Sequence, residues 1–354
     1  MAEKLKVGVI GCGRIASSAH LPSYKNNPDC EIVYCCDIIK ERAEEAAAKF
    51  GGKAVVDYNE VLNDKDVDVI SVCTPNDSHS TIAIAALKAG KDVLCEKPAA
   101  RILSEAEEMV RVKNETGRIL NIGVVNRFNC SVNKIKELID SGELGDIYHV
   151  YMSFRSHRSI PGIGGAFTTK AISGGGVLID WGIHFIDLVL YCCGDPKTKT
   201  VSSETFCKLG KNIKDYTYVG MWAEQSADFD GTCDIEESIT GLIRTDGPAI
   251  TFNGAWAQNI AENEMYIDFM GDKGGIRLQY GSDFKLYSTK NGMLTTTEFK
   301  FKQTDQYQNE IYAFINAVKT GDDSLQSNIN INIETSRIMD ALYRSAEEHR
   351  EIVF

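Results

Sequence analysis

Three short stretches hold the residue types from which a reaction could be built. The first is Gly11-Cys12-Gly13-Arg14-Ile15-Ala16, which follows the apolar run Lys6-Val7-Gly8-Val9-Ile10. Two glycines at this spacing let the backbone turn tightly and approach a pyrophosphate, which then rests on the N-terminus of the next helix. The second, Val93-Leu94-Cys95-Glu96-Lys97-Pro98, places a cation where an apolar run stops. The third is Gly174-Gly175-Gly176-Val177-Leu178-Ile179-Asp180-Trp181-Gly182-Ile183-His184. Asp180 and His184 stand four apart, so a helix presents them on one face, and Asp187 continues that face. Ionisable groups on so apolar a helix are costly unless paired or used. A histidine with a near-neutral pKa suits proton transfer.

Asp37 closes the next apolar run, Glu31-Ile32-Val33-Tyr34-Cys35-Cys36, at the distance where a carboxylate reaches a ribose diol. Such a carboxylate accepts from a free 2′-hydroxyl and repels a 2′-phosphate. NAD(H) is therefore expected over NADP(H), with Lys40 and Arg42 the only nearby cations in sequence. In an open α/β sheet, ligands bind beyond the carboxyl ends of the strands. Cys73, Thr74, Pro75, Asn76 and His79 then edge the cofactor, as do Glu96, Lys97 and Asn126. The stretch from Thr74 to His79 equally suits a proline-ended turn with Asn76 or Asp77 capping a helix. Asp180, His184 and Asp187 could present metal ligands at i, i+4 and i+7, or Asp180 and His184 could form a structural hydrogen bond. No second His or Cys cluster supports a metal, and none is assigned.

The elements that must position these residues alternate in the first third of the chain. Apolar runs at 5–10, 31–36, 67–73 and 92–96 are separated by helical segments such as Glu41–Phe50 and Ser80–Lys88, and a further strand is read over 118–128. This alternation predicts right-handed crossovers and a doubly wound parallel Rossmann sheet over residues 1–125. From 126 to 354 the pattern changes. Serine-led Ser131–Gly145 reads as a helix. In Tyr148–Arg155 one face is Tyr148, Val150, Met152 and Phe154, the other His149, Tyr151, Ser153 and Arg155. Asp246-Gly247 between two apolar runs marks a hairpin. An α+β domain with a large, mainly antiparallel, open-faced sheet is expected, finished by helices near 306–319 and 329–348 that could pack back on the first domain.

With 354 residues the chain is long enough for two domains. A net charge of −12 argues against a nucleic-acid surface, which needs basic excess. No apolar run approaches the ~18 residues of a membrane span, and the N-terminus lacks a signal-peptide layout. A cytoplasmic protein with reduced thiols is expected, its eleven cysteines including no C-x-x-C.

Taken together, the glycine fingerprint, Glu96-Lys97-Pro98 and Gly174-Gly175-Gly176-x₃-Asp180-x₃-His184 resemble the Gfo/Idh/MocA oxidoreductases over essentially the whole chain. The resemblance implies that Lys97 orients a substrate hydroxyl, His184 accepts its proton, and Asp180 holds substrate or tunes the histidine, while hydride leaves for the nicotinamide. It further implies a sugar or cyclitol substrate and a homo-oligomer. Arg127, Arg155, His157 and Arg158 are candidates for the substrate pocket, or else surface residues. Trp181 could pack on a sugar face or fill core. The loop Arg155–Phe167 is similar to that of glycoside-oxidising members, which points to a pyranose C3 hydroxyl. The family also holds NAD-dependent glycosidases that oxidise transiently and a non-catalytic cofactor-binding repressor; intact Lys97, Asp180 and His184 argue against the latter.

Overall fold

The computed structural model describes residues 3–354. They divide into two compact units, one running to Asn129 and including Thr304–Ser336, the other Cys130–Gln303 with Arg337–Phe354. The sequence reading draws the second region as 126–354, with C-terminal helices that could pack back on the first domain. Residues 304–336 return to the first unit.

In the first unit the strands are β1 (Leu5–Ile10), β2 (Cys30–Cys36), β3 (Lys53–Val55), β4 (Val69–Val72), β5 (Asp92–Glu96) and β6 (Leu120–Gly123). They lie in the order β3-β2-β1-β4-β5-β6, and each pairing is parallel. The order reverses between β1 and β4, the switch point beside which such sheets open a crevice. All four residues of β4 and all five of β5 are buried, as a sheet covered on both faces requires. One face packs Val61, Ile70, Ala83 and Met109. The other packs Val7, Val9 and Leu94 against Ile311, Phe314 and Ile315 of the returning helix Gln306–Thr320. That helix starts where Asp305 accepts from the Tyr307 and Gln308 amides and stops at left-handed Gly321.

The strand expected over 118–128 ends early. After Gly123 the chain enters a 3₁₀ turn, Val125–Phe128, which carries Asn126 and Arg127. Helix Asn76–Lys88 has Pro75 at its cap position, so neither Asn76 nor Asp77 serves as the cap. Likewise Ser131 lies inside helix Cys130–Asp140, not ahead of it.

The second unit is built on nine strands. They are β7 (Ile147–Arg155), β8 (Thr198–Phe206), β9 (Ser238–Thr245), β10 (Ala249–Ala255), β11 (Glu264–Gly271), β12 (Gly274–Gln279), β13 (Phe284–Lys290), β14 (Met293–Glu298) and β15 (Ile352–Val353). Their order is β14-β13-β12-β11-β7-β10-β9-β8-β15, and only β7 with β10 pairs in parallel. The β9–β10 hairpin turns at Asp246-Gly247. One face packs Val150, Met152, Phe154, Phe252, Ile267 and Ile276 against the helical run that ends at Cys192. The other is more open and polar: Arg155 meets Glu264, Arg277 meets Asp268, and Tyr151 lies near Tyr266. Lys170–Cys192 is long and apolar enough to cross a membrane by length and composition, a run the sequence reading did not credit. Its most apolar window is 83% buried, so in this fold it is a core helix.

Candidate active site

The first unit brings the glycine loop and the ends of three strands to one edge of its sheet. Gly11 adopts φ +90°, and a Cβ there would lie 2.6 Å from the Cys73 backbone, so β1 and β4 can end side by side only with glycine. A Cβ on Gly13 would meet nothing within 4 Å, which leaves open space in front of the helix that starts at Arg14. Ala16 is fully buried, while Arg14 is exposed and Ile15 half-buried. Asp37 ends β2 as expected. Its Oδ2 accepts from the Cys12 amide and Oδ1 from the Ile39 amide, both at 2.8 Å. A carboxylate keeps further lone pairs beyond these two, so the same group can lock the loop and accept from a ribose diol. Loop, helix start and carboxylate fit an adenine dinucleotide.

Thr74 edges this end, its hydroxyl accepting from Ser78 Oγ at 2.7 Å. Cys73 is buried, whereas Pro75 is exposed and Asn76 partly so. His79, proposed to touch cofactor, does something else. It is 1% exposed, and its ring nitrogens face two backbone carbonyls, Pro98 at 2.7 Å and Thr74 at 2.8 Å. Burial lowers its pKa, with the two carbonyls working the other way. Glu96 is also committed inward, to His20 at 2.8 Å. Asn126 is 7% exposed. Arg127 does not line a pocket mouth: it is 1% exposed and donates to the Gln326 carbonyl at 3.0 Å, while Gln326 donates back to the Arg127 carbonyl. Lys97, at the tip of β5, is half-buried, and the peptide to Pro98 is cis.

In the second unit one helix carries the remaining chemistry. From Val177 to Cys192 only Asp180, Trp181 and His184 keep more than slight exposure. Asp187, three residues beyond His184 on the same helix, is 1% exposed. The helix opens with a widened turn, Leu178–Gly182, in which the Ile183 amide donates back to Leu178 O five residues earlier; such turns are frequent at functional sites. Phe185, on its buried side, packs 4.9 Å from Phe154 of β7.

Two of the three glycines ahead of this helix, Gly175 and Gly176, have a packing cause. Glu236 is buried, and its carboxylate accepts from the Gly176 and Leu178 amides at 3.0 Å and from the Tyr343 hydroxyl at 2.9 Å. Burial pushes this carboxyl above the usual carboxylate range, although the amides and the hydroxyl pull it down. A Cβ on Gly175 would overlap the Tyr343 hydroxyl oxygen, and one on Gly176 would overlap the Glu236 carbonyl oxygen. Glu236 and Tyr343 therefore fix where the Asp180–His184 helix begins. They were missed in the sequence because Tyr343 lies 107 residues from its partner. Tyr343→Phe is expected to cost about 1.5–3 kcal/mol in stability, the worth of a buried hydrogen bond to a charged group. Urea unfolding of the variant measures it, and a change below about 0.5 kcal/mol would show that the hydroxyl is dispensable.

The other substrate candidates lie elsewhere on the second unit. Arg155 sits on the sheet face opposite Phe154, paired bidentately with Glu264 at 2.6 and 3.0 Å. This removes it from the side on which the Asp180–His184 helix packs. His157 is held by Asn263 and the Gln258 carbonyl, and Arg158 donates to Asn259 at 2.6 Å. The glycine-rich loop after them interlocks with 223–232 through backbone contacts that a Cβ on Gly164 or Gly165 would block. Among the described residues no cluster of three His, Cys, Asp or Glu is arranged to hold a metal ion.

A doubly wound dinucleotide fold followed by a mixed sheet, with a lysine at the tip of β5 and an accessible Asp–Trp–His line on a buried helix, defines a nicotinamide-dependent oxidoreductase. Residues 5–124 match the family model described as the oxidoreductase family, NAD-binding Rossmann fold, and residues 132–277 match the GFO/IDH/MocA C-terminal domain. The D-glucoside 3-dehydrogenase of Escherichia coli K12 is 32% identical over 98% of this chain and 96% of its own. An inositol 2-dehydrogenase of Rhizobium meliloti is 25% identical, covering 98% of each chain. The fold is shared with a levoglucosan dehydrogenase solved with NADH and levoglucosan, at TM-score 0.85 and 21% identity over 99% of both chains. The chain belongs to the Gfo/Idh/MocA oxidoreductase family.

Proposed function

We propose that this protein is an NAD-dependent dehydrogenase acting on a secondary hydroxyl of a sugar, glycoside or cyclitol, with C3 of a pyranose the preferred position. The observation that carries this reading is the accessible line Asp180, Trp181 and His184 on an otherwise buried helix. Bound NAD supplies the hydride acceptor. Lys97 holds the substrate oxygen and stabilises the negative charge that develops on it, an electrostatic role that preorganised cations perform well. His184 accepts the hydroxyl proton. Asp180 holds a neighbouring hydroxyl and keeps the imidazole oriented. Trp181 offers an apolar ring to one sugar face. Asp37 selects the free 2′-hydroxyl of NAD over a 2′-phosphate. The whole-length likeness to a D-glucoside 3-dehydrogenase supports the choice of C3. The protein works in the cytoplasm, and copies of the chain associate through the open face of the nine-stranded sheet, where Tyr287 is an exposed aromatic.

The test is reduced-nicotinamide absorbance with purified protein, NAD and a panel of methyl glucosides, free hexoses and inositols. Net NADH with a 3-keto product is the expected result. Release of aglycone without net NADH would identify a glycosidase that oxidises transiently. Silence in both directions across the panel would overturn the enzyme reading in favour of a cofactor-binding sensor.

A further inference from the structure

Below the tip of β5 the first unit holds two buried histidines that the proposed chemistry does not use. His20 is fully buried at the end of a widened turn, Ala16–His20, on the helix after the glycine loop. Its Nδ1 lies 2.9 Å from Ser71 Oγ on β4 and its Nε2 2.8 Å from Glu96 Oε1 on β5. The other oxygen of Glu96 accepts the Lys97 amide at 3.1 Å. One residue on, the Pro98 carbonyl faces His79 Nδ1 at 2.7 Å. The carboxylate is hemmed from β6, where a Cβ on Gly123 would stand 3.2 Å from it. The backbone on either side of Lys97 is therefore gripped from beneath by side chains from two helices.

From this geometry we infer that His20, acting through Glu96, and His79, acting through Pro98, are positioning residues for Lys97. The inference rests on the reading of Lys97 as the residue that holds the substrate oxygen. The His20–Glu96 contact is a buried hydrogen bond, and an ion pair when the imidazole is protonated. Burial opposes a charge on His20, yet Cys73 and Glu96 raise its pKa well above the ordinary histidine value. Burial equally opposes ionisation of Glu96, and the His20 hydrogen bond and charge overcome it and hold the carboxyl below its usual range. The groups facing His20 are Ser71, Cys73, Tyr24 and Glu96. Those bearing on Glu96 are His20, Lys97, His79 and Cys95. A buried pair of this kind loses far more when one member is removed than when both go. It also holds its neighbours in one geometry, and a displacement of about 1 Å at a reacting group can cost about a hundredfold in rate.

The experiment compares His20→Gln, His20→Leu, Glu96→Gln and the double variant His20→Leu/Glu96→Gln, with Lys97→Met as control. Readouts are kcat and KM for sugar, NADH affinity by fluorescence, and the pH profile of kcat. His20→Leu is expected to lower kcat by about tenfold to a hundredfold with NADH affinity and sugar KM within about twofold. His20→Gln, which keeps a donor for Glu96, recovers part of the loss. Its pH profile shifts in a defined direction. Without the imidazolium, burial drives the Glu96 pKa up, the carboxylate protonates at higher pH, and the acid limb of kcat moves upward. The double variant is no worse than His20→Leu. Wild-type kcat in His20→Leu, an acid limb that stays in place, or kcat and NADH affinity falling together would each overturn the inference. If His20→Leu does not fold, the isosteric Glu96→Gln decides: a kcat within twofold of wild type overturns the inference. Normal turnover in Lys97→Met would instead refute the Lys97 reading, whatever the histidine variants do.

Discussion

Lys97→Met is expected to abolish sugar oxidation, lowering kcat by about a thousandfold, the upper range for losing one preorganised electrostatic stabiliser. The residue is placed for that role by where its strand ends. All of β5 is buried, so Lys97 is the first side chain after it with access to solvent. Glu96 and Pro98 on either side are buried and tied down, which leaves Lys97 as the half-exposed, charged residue of the segment. Methionine keeps most of the length and apolar stem of lysine while removing the cation. NADH binding should survive, because the glycine loop and Asp37 belong to β1 and β2 and make their contacts without Lys97. Stopped-flow turnover and fluorescence titration with NADH separate the two outcomes. Turnover near wild type, or loss of NADH binding together with turnover, would refute the assignment.

Gly176→Ala should destabilise the second unit by about 3 kcal/mol, the cost of forcing extra carbon into a filled space. At many turn glycines a methyl group projects into open space; at Gly176 it would run into the backbone oxygen of Glu236 and approach its carboxylate. Neither neighbour can give way cheaply. The carboxylate is held by the amides of Gly176 and Leu178 and by Tyr343, and the Glu236 carbonyl itself accepts from the Val177 amide at 3.2 Å. To make room, the helix start must move away from the carboxylate and leave buried donors without their acceptor. Asp180 and His184 move with it, so activity should fall by more than the loss of folded protein explains. Chemical unfolding and active-site titration with NADH measure the two effects. Stability within about 0.5 kcal/mol of wild type would show that the helix start is looser than its contacts imply.

Much of this architecture was legible because it is written in local patterns. The alternation of apolar runs with alanine- and glutamate-rich helices identified the parallel sheet, and the period-two pattern of Tyr148–Arg155 marked β7. The same alternation already separated Arg155 from Phe154, but not which face packs against the helix; Arg155 proved to lie on the open one. The glycine fingerprint, Asp37 and Lys97 were readable because strand ends in such sheets face the ligand. What escaped was set by distant partners. His20 and Glu96 stand 76 residues apart, and nothing around either residue announces the other. Arg127 looked like a pocket cation since arginine is seldom buried, yet a carbonyl from the returning segment 304–336 satisfies it. That a helix near 306–319 could pack back on the first domain was expected, but not which residue of the segment would meet Arg127.

Each unit carries a widened helical turn, at Ala16–His20 after the glycine loop and at Leu178–Gly182 ahead of His184. Counted along the chain, each holds one residue more than an evenly wound helix of that length would use. The surplus acts as a phase shift: side chains after it point about 100° away from where regular winding at 3.6 residues per turn would send them. Residue number and orientation are thus decoupled at these two places. A homologue can differ by one residue there with nearly the same composition and yet present another side chain to the ligand. Alignments that slide a gap through either turn will pair residues that occupy different faces.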